Sequence, residues 1–432
     1  MPGGGARARS RDDALDLGSL TPMHILFLSD NFPPEVNAPA SRTHEHCKVW
    51  VQAGHEVTVI TCAPNFPKGA VFPGYRNAAW QEERIDGIHV VRVWSYVTAN
   101  EGFARRVLDY LSFMVSASLA ALFVRRVDVV VGTSPQFFTA CAAWFVGAVK
   151  RRPYVFELRD LWPESIKAVG AMKDSRLLRA LERLELFLYR HAARVVSVTH
   201  SFRDNLRGRG IDADKIVVVT NGVDIARFSP RPKDEALLRE LGLEGKFVAG
   251  YVGTHGMAHG LETLLEAAQA LRGDSDVRIL LLGDGARKEA LVAQARTLGL
   301  DNVIFVGSVP KDEVARYWSL LDVSIIHLRR TPLFETVIPS KLFECMGMGI
   351  PVLHGVAGES AGIVEREGVG WVFEPGNAAA LAAILRQVRA DPAGLARCRA
   401  RCLTAAQHYD RSVLALTMLN ELERVAATRT GR

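Results

Sequence analysis

A series of short apolar runs punctuates the chain, and none shows the in–out alternation of a half-exposed strand. HILFL (24–28), EVTVI (56–60), HVVRV (89–93), DVVVG (128–132), YVFEL (154–158), RVVSV (194–198) and KIVVV (215–219) mark the first half. FVAGYV (247–252), VRILLL (277–282), NVIFV (302–306), DVSII (322–326) and PVLHG (351–355) mark the second. β-branched runs without alternation are buried on both faces, which is the condition of strands in a parallel sheet. Helical stretches lie between most of them, including 260–271, 286–298 and 340–348. The pattern predicts an α/β chain of two doubly wound, Rossmann-like domains.

The boundaries follow from composition. Residues 1–22 are rich in Gly, Arg, Asp and Ser and lack the apolar run of a secretory leader, so they read as a disordered extension, with Met23 a second candidate start. Residues 23–225 form the first domain and 226–410 the second. A polar, Pro-containing stretch near 222–240 is the expected hinge. A helix in 411–432 is expected to cross back toward the first domain. In open parallel sheets ligands bind outside the carboxyl ends of the strands, so two such domains imply a cleft and a two-substrate enzyme or a bilobal binder.

Charge and cysteine content narrow the partners. Lys+Arg number 53 and Asp+Glu 47, a net of +6 over 432 residues, which suits an anionic ligand or membrane surface and does not demand nucleic acid. The six cysteines form no CxxC pair and no zinc-type spacing, and read as reduced thiols of a cytoplasmic protein. Residues 107–124, VLDYLSFMVSASLAALFV between Arg105-Arg106 and Arg125-Arg126, are just long enough to span a bilayer. A strand-like run follows at once, which disfavours spanning. The stretch reads either as a helix covering the sheet or as one whose outer face dips into lipid, with the arginines on anionic headgroups.

An ordered series of motifs carries a resemblance. HILFLSDNFPPE, AGHEVTVIT, TNGVDIARF, VGTHGMAHGLETLLEA, LLGDGARKEAL, VGSVPKDEVARYW and IPSKLFECMGMGIPVL occur in that order between about 23 and 425. The chain resembles glycosyltransferase family 4, retaining enzymes of the GT-B architecture. NAPASR, FELRDLWPES and PSKLFECM look like the branch that adds N-acetyl-fucosamine-type sugars in O-antigen and capsule assembly.

The resemblance implies a sugar moved from a nucleotide diphosphate sugar, UDP before GDP, to a lipid-linked saccharide at the inner face of the cytoplasmic membrane. It implies donor contacts at Gly253, Thr254, Gly256, Gly283, Gly285, Lys288, Pro339, Ser340, Lys341 and Glu344. Small residues after a strand let a diphosphate approach backbone N–H groups, and a helix N-terminus favours its charge. Family members usually carry an Arg and a Lys where this chain has Thr254 and His259, so Lys341 and Lys288 are expected to meet the diphosphate. Ser340 is expected to cap the helix that carries Lys341. Glu344 matches the second acid of the family's glutamate pair, which holds the ribose. The first acid falls on Thr336, one residue from Glu335, and either residue is a candidate for the role. The catalytic candidates are Asp160, Glu335 and Lys288. Asn37, Arg42, Arg159 and Glu164 are the acceptor candidates, with Asp160 ranked ahead of Glu164 for orienting or deprotonating the acceptor hydroxyl. No metal or other cofactor is expected, because no DxD pair follows a strand end. A GDP-sugar mannosyl or fucosyl transferase, a nucleotide-sugar 2-epimerase and a non-catalytic nucleotide-sugar-binding scaffold are the alternatives.

Overall fold

The computed structural model describes residues 22–66, 68–98, 103–161, 176–310 and 313–430. All but Pro22 of the expected N-terminal extension lies outside them, as do Trp162 to Glu164.

The N-terminal sheet has eight strands: β1 (His24–Leu28), β2 (Glu56–Cys62), β3 (Gln81–Ile85), β4 (Ile88–Val93), β5 (Val129–Thr133), β6 (Tyr154–Leu158), β7 (Arg194–Ser197) and β8 (Ile216–Val218). Their order is β3-β4-β2-β1-β5-β6-β7-β8. Among the described strands only the β3–β4 pair is antiparallel. Phe27 at the centre pairs with Val59 on one side and Val131 on the other. The C-terminal sheet has six parallel strands, β9 (Phe247–Val252), β10 (Val277–Leu282), β11 (Val303–Val306), β12 (Val323–His327), β13 (Val352–Gly355) and β14 (Gly370–Val372), ordered β11-β10-β9-β12-β13-β14. The apolar runs became these strands because helices cover both faces of each sheet and bury them. The pattern did not reveal β3 and β14. Both are edge strands, and QEERI in β3 alternates half-buried with exposed positions.

The chain crosses between the sheets twice, side by side. Val219 follows the last N-terminal strand and packs in the N-terminal core, whereas Val223 and Phe228 already pack in the C-terminal core. The crossing therefore lies at 219–223, at the leading edge of the stretch read as the hinge. The return crossing runs alongside: the Val223 N–H donates to the Tyr409 carbonyl at 2.9 Å, and the Arg411 N–H to the Val223 carbonyl at 3.0 Å. Gly222 is required here, since a Cβ would sit 2.2 Å from the Tyr409 carbonyl oxygen. The helix Arg411–Thr430 then lies on the N-terminal sheet, where Leu414, Met418, Leu419, Leu422 and Val425 join its core. The Trp50 indole donates to the Ala415 carbonyl at 2.8 Å.

The helix Phe103–Phe123 is long and apolar enough to cross a membrane, yet it lies on the sheet. Phe113, Ala117, Ala120 and Ala121 pack into the core. Leu108, Val115, Leu119, Leu122 and Phe123 face outward, as do Phe145 and Val149 of the neighbouring helix Phe137–Lys150.

Candidate active site

The strand ends of the C-terminal sheet carry two glycine turns that hold each other. The Gly253 N–H donates to the Leu282 carbonyl at 2.9 Å, the His255 N–H to the Asp284 carbonyl at 2.8 Å, and the Gly283 N–H to the Val306 carbonyl at 3.1 Å. The Gly285 N–H donates to the Asp284 carboxylate at 2.8 Å. The expectation that these amides cradle a diphosphate needs correction at Gly253, Gly283 and Gly285, whose N–H groups are already spent. Glycine is needed for a different reason. Gly283 has φ +142° and a Cβ there would lie 1.9 Å from the Gly253 carbonyl oxygen, so only glycine lets the two loops touch. Thr254 and Gly256 lie in the same loop as Gly253.

Lys341 opens the helix Lys341–Met348 and lays its ammonium 3.8 Å above the Tyr251 ring centroid. A Cβ on Gly253 would come within 2.7 Å of Lys341 Nζ, so the missing side chain makes the space for this lysine. The Lys341 ammonium has no hydrogen bond or ion pair among the described residues. Burial pulls its pKa down to about 8. A half-buried cation in the first turn of a helix sits against the helix dipole, so an anion is the partner this position lacks. Lys288, the first residue of the helix Lys288–Thr297, holds its Nζ 3.7 Å from the Asp284 carboxylate. Arg287 beside it is taken by Glu262 at 2.7 Å.

Ser340 occupies the cap position, but its backbone is already helical and its side chain makes no capping bond, which corrects the expected cap. Ser340 and Glu344 face a pocket between the two halves, together with Arg159, Arg227, His46 and Arg411. Glu335 stands apart from this pocket: its carboxylate is 43% exposed and lies 3.9 Å from Arg330 on a surface turn. Thr336 donates its hydroxyl to the Leu333 carbonyl at 2.8 Å. The structure thus brings Lys341, Lys288 and the glycine turns together, and places Glu344 at the interdomain pocket and Glu335 outside it. Pro339 precedes the helix and its carbonyl accepts from the Leu342 N–H at 3.0 Å.

On the other side of the gap, Arg159 and Asp160 follow β6 and face Val337 and Ile338 of the C-terminal half. Both backbone N–H groups point at the Ser134 hydroxyl, at 2.8 and 3.3 Å. The Arg159 guanidinium reaches the carbonyls of Pro39 and Ala38, each at 3.3 Å. Arg42 is different, and its reading as an acceptor contact is corrected. Its guanidinium is buried and spent on the Glu157 carboxylate at 2.9 Å and on the carbonyls of Thr220 at 2.7 Å and Val219 at 3.0 Å. Burial alone would raise the Glu157 carboxyl, but Arg42 and Arg159 overcome it and hold it below its ordinary value. Arg42 therefore ties the helix Ala38–Gln52 to the crossing. Asn37 caps the same helix, accepting from the Ala40 N–H at 2.9 Å. Glu164 lies outside the described residues.

Sequence reasoning gave no role to several residues here. His255 is fully buried with neither ring nitrogen partnered. Burial first, then Lys288, pushes its pKa down to about 4; His259 falls to about 4 through burial and Lys341. Glu359 also went unremarked. It reaches from the C-terminal half to accept from the backbone N–H groups of His200 at 2.8 Å and Ser201 at 2.6 Å, at the start of the helix His200–Gly208. No sequence pattern marks it, because its partner is a helix end 159 residues away.

The two halves match two family models, a Glycosyl transferase 4-like domain over residues 37–222 and Glycosyl transferases group 1 over 233–407. WcaI of Escherichia coli, named for colanic acid biosynthesis, is 27% identical over 339 residues, covering 76% of this chain and 82% of its own. The glycosyltransferase WbjE of Pseudomonas aeruginosa is 25% identical over 284 residues, 65% and 70% of the two chains. A GDP-mannose-dependent alpha-mannosyltransferase of Mycobacterium tuberculosis is 26% identical over 339 residues, 78% and 80%. Among solved structures, Anabaena HepE in complex with UDP aligns with a TM-score of 0.70 at 19% identity, covering 93% of this chain and 100% of that one. Sucrose-phosphate synthase of Thermosynechococcus elongatus aligns at 0.72 and 17%, covering 94% and 100%.

Proposed function

We propose a donor and an acceptor from one established premise: the chain belongs to the two-domain GT-B glycosyltransferases of family 4. It transfers a sugar, retaining its anomeric configuration, from a UDP-sugar bound at the C-terminal strand ends to a lipid-linked saccharide bound at the N-terminal ones. A deoxy-amino sugar of the N-acetyl-fucosamine type, in cell-surface polysaccharide assembly, is the narrower reading; WcaI and WbjE, both glycosyltransferases by name, are in keeping with it.

The observation that carries the donor assignment is Lys341, a half-buried ammonium set against an aromatic face. The leaving diphosphate supplies the missing counter-charge. Lys288 adds a second cation, and both strengthen their hold as charge builds on the departing oxygen. Glu344 accepts from the ribose hydroxyls. Asp160 orients the acceptor hydroxyl from across the gap, and Arg159, whose bonds to carbonyls are long, holds an acceptor phosphate. Glu359 bridges the halves and so favours a closed cleft that keeps water from the transferred sugar.

Calorimetric titration with UDP, GDP and ADP tests the donor. UDP is expected to bind most tightly, and Lys341→Ala and Glu344→Ala to weaken it by about 100-fold and about tenfold, or about 2.7 and 1.4 kcal/mol. Unchanged affinity in Lys341→Ala removes the donor assignment. A preference for GDP moves the donor to GDP-mannose-type sugars, the reading that the alpha-mannosyltransferase relatives favour.

The acceptor's lipid places the enzyme at the cytoplasmic membrane face. The outward apolar face of the helix Phe103–Phe123 supports this, with Arg105, Arg106, Arg125 and Arg126 exposed at its two ends. Vesicles containing phosphatidylglycerol are expected to sediment the protein, and Leu119→Glu with Phe123→Glu to abolish sedimentation without lowering thermal stability. Equal sedimentation of that variant would show that this helix does not dock.

A further inference from the structure

Away from the lysines, the N-terminal half holds a second pocket of about 210 Å³. Asp30 and Asn31 enter it from the loop after β1, Asn65 and Phe66 from the loop after β2, and Gln136 from the loop after β5. Arg106, Asp109 and Tyr110 close it from the helix Phe103–Phe123.

Two of its side chains are buried and incompletely bonded. Glu35 is 4% exposed, and its Oε1 accepts from the N–H groups of Asn65 at 2.8 Å and Phe66 at 2.9 Å. Its Oε2 has no partner. Gln136 is 6% exposed and its Oε1 has none either. A buried acceptor left unbonded costs about 1–3 kcal/mol. Two such oxygens lining one pocket call for a ligand that donates hydrogen bonds.

Charge narrows that ligand. The Asp109 carboxylate has no hydrogen bond or ion pair among the described residues, although its backbone carbonyl accepts from the Ser112 hydroxyl at 2.7 Å. Burial raises its pKa to about 6 against the pull of Arg106, and Glu35 adds to the rise. Asp30 is raised too, by burial and by Asp109 and Glu35. Its carboxylate receives the Asn31 amide at 3.1 Å and the Cys62 thiol at 3.6 Å. Among the described residues one cation faces the pocket, Arg106, which donates to the Tyr110 hydroxyl at 3.0 Å and lies over that ring. Three carboxyl groups against one guanidinium make an environment hostile to an anion. No three His, Cys, Asp or Glu side chains among the described residues are placed to hold a metal ion, so the cluster is not a cation cage. Phe66, 40% exposed at the rim, offers a flat apolar face to the C–H side of a ring.

We propose that this pocket seats the sugar ring of the acceptor, and that Glu35, Gln136 and Asp109 select a ring donating hydroxyl or ammonium hydrogen bonds against one bearing a carboxylate. The proposal rests on the glycosyltransferase reading and adds to it a specificity for the acceptor. Asp109 also links the pocket to the docking helix, since both lie on one element. A saccharide whose lipid end meets the outer face of that helix is thereby offered to the pocket at its head.

Saturation-transfer NMR on the full chain with UDP present tests this, using the methyl glycosides of glucose, glucosamine and glucuronic acid. The glucoside and the glucosaminide are expected to bind and to compete, the glucosaminide more tightly, with the glucuronide weaker by about tenfold or more. Asp109→Asn is expected to narrow that gap to about threefold, and Gln136→Leu to weaken the glucoside by about fivefold. UDP affinity is expected to stay unchanged in both. Glu35 also anchors the loop after β2, so Gln136→Leu and Asp109→Asn carry the test if Glu35→Gln does not fold. A glucuronide that binds as well as the glucoside, a failure of all three glycosides to bind, or selectivity unmoved in both variants overturns the proposal. Absence of any nucleotide binding in the parallel titration counts against the donor site and leaves the ranking of the glycosides readable.

Discussion

The two strand-end faces that look at each other across the cleft are opposite in what they lack. The C-terminal face offers a cation with no anion: Lys341 over Tyr251, beside glycine turns whose Gly253, Gly283 and Gly285 amides are already bonded. The N-terminal face offers acceptors with no donor: Glu35 Oε2 and Gln136 Oε1 beside two raised carboxyls. One fold, used twice, thus presents two faces of opposite need. The function proposed above assigns a diphosphate to the first face and a hydroxyl-bearing ring to the second. Arg159 and Asp160 stand at the seam, facing Val337 and Ile338 of the C-terminal half.

The largest expected effect separates scaffold from site within the N-terminal half. Arg42→Ala leaves the Glu157 carboxylate buried without its main partner and is expected to cost about 3–5 kcal/mol in denaturant unfolding. Arg159→Ala, next to Asp160 at the cleft, is expected to leave stability within about 1 kcal/mol and to lower acceptor-dependent turnover instead. If the two variants lose stability equally, the division between a tying arginine and a substrate arginine fails.

A smaller effect concerns how the faces are held together. Glu359→Ala removes two charge-assisted bonds to a helix start and is expected to weaken the closed arrangement by about 1–2 kcal/mol. Small-angle scattering should then report a larger radius of gyration, and donor hydrolysis by water should rise relative to transfer. A variant as compact as the parent would show that the halves do not depend on this contact.

The smallest effect sharpens the contrast in charge. Lys341 is depressed to about 8 by burial, so the unfolded chain binds more protons between about pH 8 and 10.4, and the empty protein gains stability as pH rises through that window. A bound diphosphate favours the ammonium form. Nucleotide binding near pH 8 should therefore take up a fraction of a proton, and affinity should fall as pH rises above 8. Titrations in buffers of different ionisation enthalpy measure the uptake, and Lys341→Met should abolish it.

Much of this was legible in the chain itself. The unalternating β-branched runs announced two parallel sheets, because a strand buried on both faces has no polar side to display. Lys341 was legible from PSK at a helix start, and the last helix from its Ala- and Leu-rich pattern. Edge strand β3 was not, since its QEERI run has one half-open face and no partner beyond it. Nor was the true work of Arg42: its partners, Glu157 and the carbonyls of Val219 and Thr220, lie 115 to 178 residues away. The lone acid of the helix Phe103–Phe123, Asp109, was visible, but its meaning depended on Glu35 and Asp30 arriving from another loop.

Local chemistry determined the elements: strand or helix, turn or cap, and the glycines where loops must touch. What tertiary structure decided was pairing. Whether an arginine is spent or free, whether a carboxyl is ionised or raised, and whether a buried oxygen finds a donor are set by groups distant in sequence. Desolvation and charge act through space, and only the folded chain brings those groups within their reach.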